Sequence, residues 1–353
     1  MERFNPITRR DEVIKQESLT GERALYRGEN LEIHDTIFHD GESPLKESKN
    51  IKIYGSEFQY KYPLWYAENV LVKDSVWQVM GRSGVWYTRH MTVEDSMIWA
   101  PKNFRRCDDI TLRNVTFADA AETFWNCRNI VMENVTAKGD YFGMNSENIK
   151  IDGLRLFGNY AFDGGKNIEI RNAKLLTKDC FWNCENVTVY DSYISGEYLA
   201  WNTKNLTFIN CTIESDQGLD YIEGLKLVNC KMVNTKFAFE YAYDVDAEIT
   251  TKIDSILNPG SGKIVAKEIC ELVVEPDNCD ISKTEIVETD PGRENASRED
   301  ASREDASREN ASRENASRED ASREDASVSE NPENGKGKNE CHLKCVKKNS
   351  HSA

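Results

Sequence analysis

The sequence has no long apolar run. Met1 to Thr20 carries no hydrophobic stretch of the kind that opens a secretory signal, and no segment approaches the length of a membrane span. Cations are in deficit: 45 Lys and Arg stand against 61 Asp and Glu, for a formal net charge of −16 and a pI near 5.0. A phosphate-binding surface needs clustered Lys and Arg, so this balance argues against nucleic acid, and against an anionic membrane, as the main partner. Histidine is limited to five residues. His34, His39 and His90 sit beside no evident nucleophile, and no metal or cofactor is expected. The default compartment is the cytoplasm, where the ten cysteines are thiols rather than a disulfide framework.

What is present is a repeat. A turn residue followed by apolar, any, apolar recurs as Asn30-Leu-Glu-Ile, Asn50-Ile-Lys-Ile, Asn69-Val-Leu-Val and His90-Met-Thr-Val, and so on to Gly224-Leu-Lys-Leu and Asp244-Val-Asp-Ala. The steps are 19 to 21 residues, a period that marks a solenoid. Aligned on the Asn, positions one and three residues later are apolar and the position between them is Glu, Lys or Thr. That alternation is a strand with one face in and one face out. Five residues after the Asn stand Asp, Asn or Gly, which tolerate tight corners. A second apolar position follows at plus eight. Five before the Asn the column runs Leu45, Leu64, Val85, Phe104, Phe124, Gly143, Phe162 and Phe181, which implies a third short inward strand. The pattern predicts an all-β, right-handed, single-stranded parallel β-helix of about twelve coils, Gly21 to Val274. At ~4.8 Å per coil the rod is roughly 58 Å long. The Asn column reads as a hydrogen-bonded ladder. Cys107, Cys127 and Cys184 share one small-residue column and Cys211 and Cys230 another, so buried structural thiols are expected.

One column breaks the alternation. Four before the Asn stand Lys46, Trp65, Trp86, Arg105, Trp125, Met144, Asp163, Trp182, Trp201, Asp220 and Glu240. The pattern turns this column outward, where a soluble rod should carry Thr, Lys and Glu. A row of exposed indoles marks a binding surface, and Trp faces along a rod suit sugar rings. The competing expectation is that loops from the neighbouring corner cover them. The candidate ligand-binding set is therefore Trp65, Trp86, Arg105, Trp125, Trp182 and Trp201. Glycosidases use two carboxylates roughly 5 to 10 Å apart, and Glu122, Asp163 and Asp179 are the candidates here. Lys102 and Arg105 are placed to hold an anionic group. Strand geometry sets the backbones of Glu122 and Asp163 roughly 14 Å apart, so no catalytic pair is indicated.

The coils from Leu19-Thr-Gly-Glu-Arg-Ala-Leu to Ala266 resemble a bacterial family of β-helices classed as a domain of unknown function within the pectin-lyase-like superfamily. The stretches that carry the likeness include Asp40-Gly-Glu-Ser-Pro-Leu-Lys-Glu-Ser, Lys61-Tyr-Pro-Leu-Trp-Tyr, Ala100-Pro-Lys-Asn-Phe-Arg-Arg-Cys and Lys138-Gly-Asp-Tyr-Phe. The resemblance implies the fold. It leaves function open, because that superfamily holds lyases, hydrolases, esterases, adhesins and capsid spikes. By fold analogy an enzyme of this kind would be a polysaccharide lyase or glycoside hydrolase. The pectin-hydrolysing blocks are not matched: Asn202-Thr203 is followed by Lys204, Asp108-Asp109 falls at a ladder corner, and Gly-His-Gly is absent.

The organisation read from sequence is an N-terminal extension at 1–18, the β-helix at 19–289 and a low-complexity tail at 290–353. Residues 293–327 are seven copies of Arg-Glu-Asn/Asp-Ala-Ser, with no large apolar residue to build a core. Disorder and a charged single helix remain alternatives for it. Cys341-His-Leu-Lys-Cys345 lacks the second pair of a zinc site. Two functional expectations follow. One is a carbohydrate-binding or carbohydrate-active rod using the Trp stripe. The other is a non-catalytic scaffold or homo-oligomer using it as a protein interface.

Overall fold

The structure, a computed structural model, describes residues 8–290; the repeat tail and the Cys341–Cys345 pair lie outside them. The chain winds into a parallel β-solenoid. The strand after each ladder Asn stacks on its counterpart one coil away, giving fifteen rungs from Arg10–Lys15 to Thr284–Glu288. Every strand pairing between coils is parallel and, through the central coils, in register: Ile110 on Ile130, Ile130 on Ile149, Ile149 on Ile168. The second side of each coil is a strand of two or three residues, such as Glu57–Phe58 or Tyr193–Ser195. In three coils the two sides run together as Arg128–Lys138, Glu147–Phe157 and Glu223–Lys236.

Fifteen rungs exceed the twelve expected, and the reason is local. In the first, Asp11 holds the ladder position, but Glu12 and the exposed Val13 blur the alternation and only Ile14 is buried. In the last two, Val245 pairs with Gly262 and Gly262 with Thr284. Those steps of 17 and 22 residues fall outside the 19–21 period.

The third side also differs from expectation. It is a run of turns, joined to its neighbours by isolated bridges such as Trp86 with Arg105 and Arg105 with Trp125. Residues at minus seven and minus three take positive φ, and from Phe104 onward so do those at minus five: Tyr160, Phe162 and Gly164 have 56°, 62° and 70°. Left-handed residues alternating with extended ones keep side chains alternating in and out. They also keep the coils hydrogen-bonded: the Tyr160 and Gly164 N–H groups donate to the next coil at 2.9 and 2.8 Å, and Phe162 N–H to the previous one at 2.7 Å. An L residue pays roughly 1 kcal/mol for this conformation. The fully buried Phe104, Phe124, Phe162 and Phe181 accept it, because each side chain gains about 2–3 kcal/mol from burial.

The interior is a set of stacked columns. Phe38, Phe58 and Trp77 stack at centroid distances of 4.9 and 4.7 Å, and Phe104 on Phe124 at 4.6 Å. Polar ladders fasten the corners. Asn167 Nδ2 donates to Asn148 Oδ1 at 3.1 Å, and Asn186 to Asn167 at 3.0 Å. Where His90 replaces Asn, its Nδ1 meets Asp109 Oδ2 at 2.7 Å. None of the eight cysteines among the described residues is in a disulfide, and six are buried. They act as small polar spacers: Cys127 Sγ donates to Phe104 O at 3.1 Å, as Ser146 Oγ does to Phe124 O at 2.6 Å one coil on. Burial pushes the Cys107 and Cys180 thiols well above their ordinary range.

Candidate functional site

The alternating backbone of the third side turns the minus-four column outward, and in-register stacking brings its members together. The indoles are neither open nor covered by loops. Trp65, Trp86, Trp125, Trp182 and Trp201 are all half-buried, mainly by one another. Trp65 and Trp86 stack with centroids 4.9 Å apart and planes 8° apart. The Arg105 guanidinium lies between Trp86 and Trp125, 4.8 and 4.4 Å from their ring centres. Trp182 packs on Trp201, and Trp201 on Tyr221 at 4.4 Å.

Four of the five indole N–H groups are also engaged. Trp65, Trp86, Trp125 and Trp182 donate to Ser83 O, Lys102 O, Tyr141 O and Tyr198 O, in each case on the following coil, at 2.6–3.1 Å. The faces that would take a sugar ring are largely occupied and the ring edges look outward. Two coils interrupt the Trp series, where Met144 and Asp163 stand. There Tyr141 and Tyr160 stack at 4.9 Å and meet Trp125 and Trp182 edge-on. The result is one aromatic strip from Tyr62 to Tyr241.

The acidic candidates are not assembled into a pair. Glu122 bridges Lys102 Nζ at 2.9 Å and Arg105 Nη2 at 3.1 Å, so it braces the guanidinium between its indoles. Asp163 Oδ1 accepts from Asn183 Nδ2 at 2.9 Å and extends an Asn ladder. Asp179 is 2% exposed. Burial raises its carboxyl above the usual range, against the opposing hydrogen bond from Tyr160. Lys102, Arg105, Glu122, Trp86 and Trp125 therefore form one cluster, while Asp163 and Asp179 belong to separate coils with separate partners. No group of three or more His, Cys, Asp or Glu among the described residues is arranged to hold a metal.

Three features escaped the sequence. The minus-three column adds Tyr66, Tyr87, Tyr221 and Tyr241 to the strip. Tyr66 stacks on Tyr87 at 4.7 Å and is 48% exposed. Its signal was available: Tyr recurs at four coils of a column that holds Asn at four others. Asp220 is buried, its Oδ1 accepting Glu240 N–H at 3.0 Å, and burial lifts its pKa to about 7. Burial, then Glu275, raises Glu240. On the second side, Met97 and Trp99 are exposed, as are Val79 and Met80 on the preceding, longer coil; a single outward Trp gave no column to read.

No helix among the described residues is long and apolar enough to cross a membrane. A comparison with curated proteins found no match. Among solved structures, the chain is similar to PfbA, a surface adhesin of Streptococcus pneumoniae, with 12% identity over 66% of this chain and 72% of that one and a TM-score of 0.33. It is similar to a mutant tailspike protein of E. coli bacteriophage HK620 in complex with pentasaccharide, with 10% identity over 79% and 70% and a TM-score of 0.33. It is also similar to full-length QnrB1, a plasmid-mediated fluoroquinolone resistance protein, with 13% identity over 63% and 94% and a TM-score of 0.24. Likenesses this distant carry no argument about function. The profile of the family described as "Protein of unknown function (DUF3737)" matches residues 12–287, well over half of the sequence, and the chain belongs to that family.

Proposed function

We propose that the chain is a non-catalytic binding rod whose aromatic strip is a protein interface. The observation that carries this reading is the edge-on packing of the strip. Most indole faces and four of the five indole N–H groups are engaged within the solenoid, while Tyr66, Tyr141 and Tyr221 remain 38–48% exposed. Tyrosines held rigid on a flat surface add contact area at low entropic cost, which is why they are enriched at protein interfaces. The ion-paired Glu122 and the separate partners of Asp163 and Asp179 favour binding over acid–base catalysis. The free thiols suit a reducing cytoplasm.

The test is a photo-crosslinking side chain placed at Tyr66 or Tyr221 of the full chain, with Asn148 as a control on the ladder corner. Protein adducts from the strip and not from the corner are expected. Equal labelling at all three sites would overturn the reading.

A carbohydrate ligand is the second reading, and the break in the Trp series favours it. Trp125 and Trp182 face that break with Tyr141 and Tyr160 edge-on rather than stacked, and Asp163 lies between. Quenching or a shift of Trp fluorescence by a glycan, lost in Trp182→Ala, would support this reading over the first.

A further inference from the structure

Charge on the strip is segregated along the rod. Toward the N-terminal end, Lys46, Arg82 and Arg106 make no ion pair among the described residues. Lys46 lies over the Tyr66 ring at 5.8 Å, and Arg106 donates to the Tyr87 hydroxyl at 3.4 Å. Toward the C-terminal end, Asp163, Asp216 and Glu240 likewise have no cation partner among the described residues; Asp163 is held by Asn183, and Asp216 is exposed. These cations occupy the coils before Asn50, His90 and Asp109, and the carboxylates those before Asn167, Gly224 and Asp244, where Lys236, the register neighbour of Asp216, is an exception. Once the paired charges are set aside, one half of the face is net basic and the other net acidic, around an aromatic centre.

We infer that the partner of this face is a second copy of the chain, docked antiparallel about a twofold axis between Trp125 and Tyr141. This rests on the protein-interface reading and names the partner. Turning the strip end for end sets the coil of Lys46 opposite the coil of Asp216, and the coil of Arg106 opposite that of Asp163. A parallel arrangement would set like charge on like. An isologous contact needs this self-complementarity, since each contact occurs twice. The size is sufficient. Ten coil steps at ~4.8 Å and a width of about five residues give roughly 800 Å² per copy, the area of a standard stable interface. A neutral glycan or an evenly charged partner gives no reason for the two ends to differ in sign.

The experiment is sedimentation velocity on the purified full chain, with circular dichroism to confirm folding. A dimer is expected. Arg106→Glu and Asp163→Lys, which lie on opposed coils in adjacent columns, should each weaken it by roughly tenfold or more, and the double substitution should restore it. A crosslinker at Tyr221 should join the segment Lys46–Tyr66 of the other copy. A chain monomeric at every concentration, a dimer indifferent to both swaps, or crosslinks from Tyr221 to the Tyr221 coil of the other copy would overturn the inference. A monomer that still gives strip-specific adducts with other proteins leaves the interface reading standing; a monomer without them removes both.

Discussion

Removing Arg105 tests whether the outward strip holds the rod together. Its guanidinium makes two cation–π contacts, at 4.8 and 4.4 Å, and a 3.1 Å ion pair with Glu122; its side chain is 22% exposed and that of Glu122 28%. At this exposure each cation–π contact contributes about 0.5–1 kcal/mol and the ion pair about 0.5 kcal/mol. The stem packed between two indoles adds about 1 kcal/mol. Against this, Nε is buried without a hydrogen-bond partner, a cost of about 1 kcal/mol. Arg105→Ala should therefore destabilise by about 2 kcal/mol. Arg105→Met keeps the stem and relieves Nε, so its loss should be nearer 1 kcal/mol. In a solenoid each coil touches only its neighbours, so the effect is local. Urea unfolding followed by Trp fluorescence measures the loss, and hydrogen exchange should quicken first in the coils of Trp86 and Trp125. If both variants stay within about 0.5 kcal/mol of the parent, the background for surface substitutions, the strip contributes no stability. If Ala is no worse than Met, packing of the stem is not the cause.

Three further outcomes follow. Asn148 combines a φ of 58° with ladder bonds to Asn129 and from Asn167, both 3.1 Å. Asn148→Ala should cost about 2 kcal/mol and Asn148→Gly about 1 kcal/mol in chemical unfolding, because Gly avoids the backbone strain; equal losses would mean that φ plays no part. Asp220 titrates near 7 when folded and near 3.9 when unfolded, so the folded chain keeps a proton the unfolded chain has released. Stability relative to Asp220→Asn should be highest below about pH 4 and fall until about pH 7, and a flat difference in thermal midpoint across that range would refute the assignment. Thiol titration of the chain truncated at Asp290 should modify Cys270 and Cys279 first, since the other six described cysteines are buried and burial holds the thiols of Cys107, Cys180 and Cys184 above their ordinary range; rapid labelling of Cys107 or Cys184 in the folded chain would contradict their place in the core.

The solenoid was legible because its signal is one-dimensional. Each coil pairs only with its neighbours, so a column such as Leu31, Ile51 and Val70 states both the alternation of a strand and its register. The same holds for the Asn ladder and the cysteine columns. The first rung and the last two were missed where Glu12 breaks the alternation and where steps of 17 and 22 residues break the period. Alternation alone also made the third side look like a strand. Left-handed and extended residues in turn orient side chains in the same in-and-out order, so the sequence does not distinguish the two.

The outward Trp column was likewise fixed by sequence, down to the residues. What only the tertiary structure decided is how those indoles are used. Whether a ring presents its face or its edge depends on χ angles and on contacts between residues about twenty apart. Here the N–H groups of Trp65, Trp86, Trp125 and Trp182 reach a carbonyl of the next coil, and most faces meet Trp, Arg105 or Tyr. Charge pairing is of the same kind. Glu122 stood as a candidate acid by residue type, and in space it is the brace of Arg105, because the coil repeat sets Lys102 and Arg105 one turn below it. A repeat declares which residues share a column, and side-chain packing along that column determines what they do.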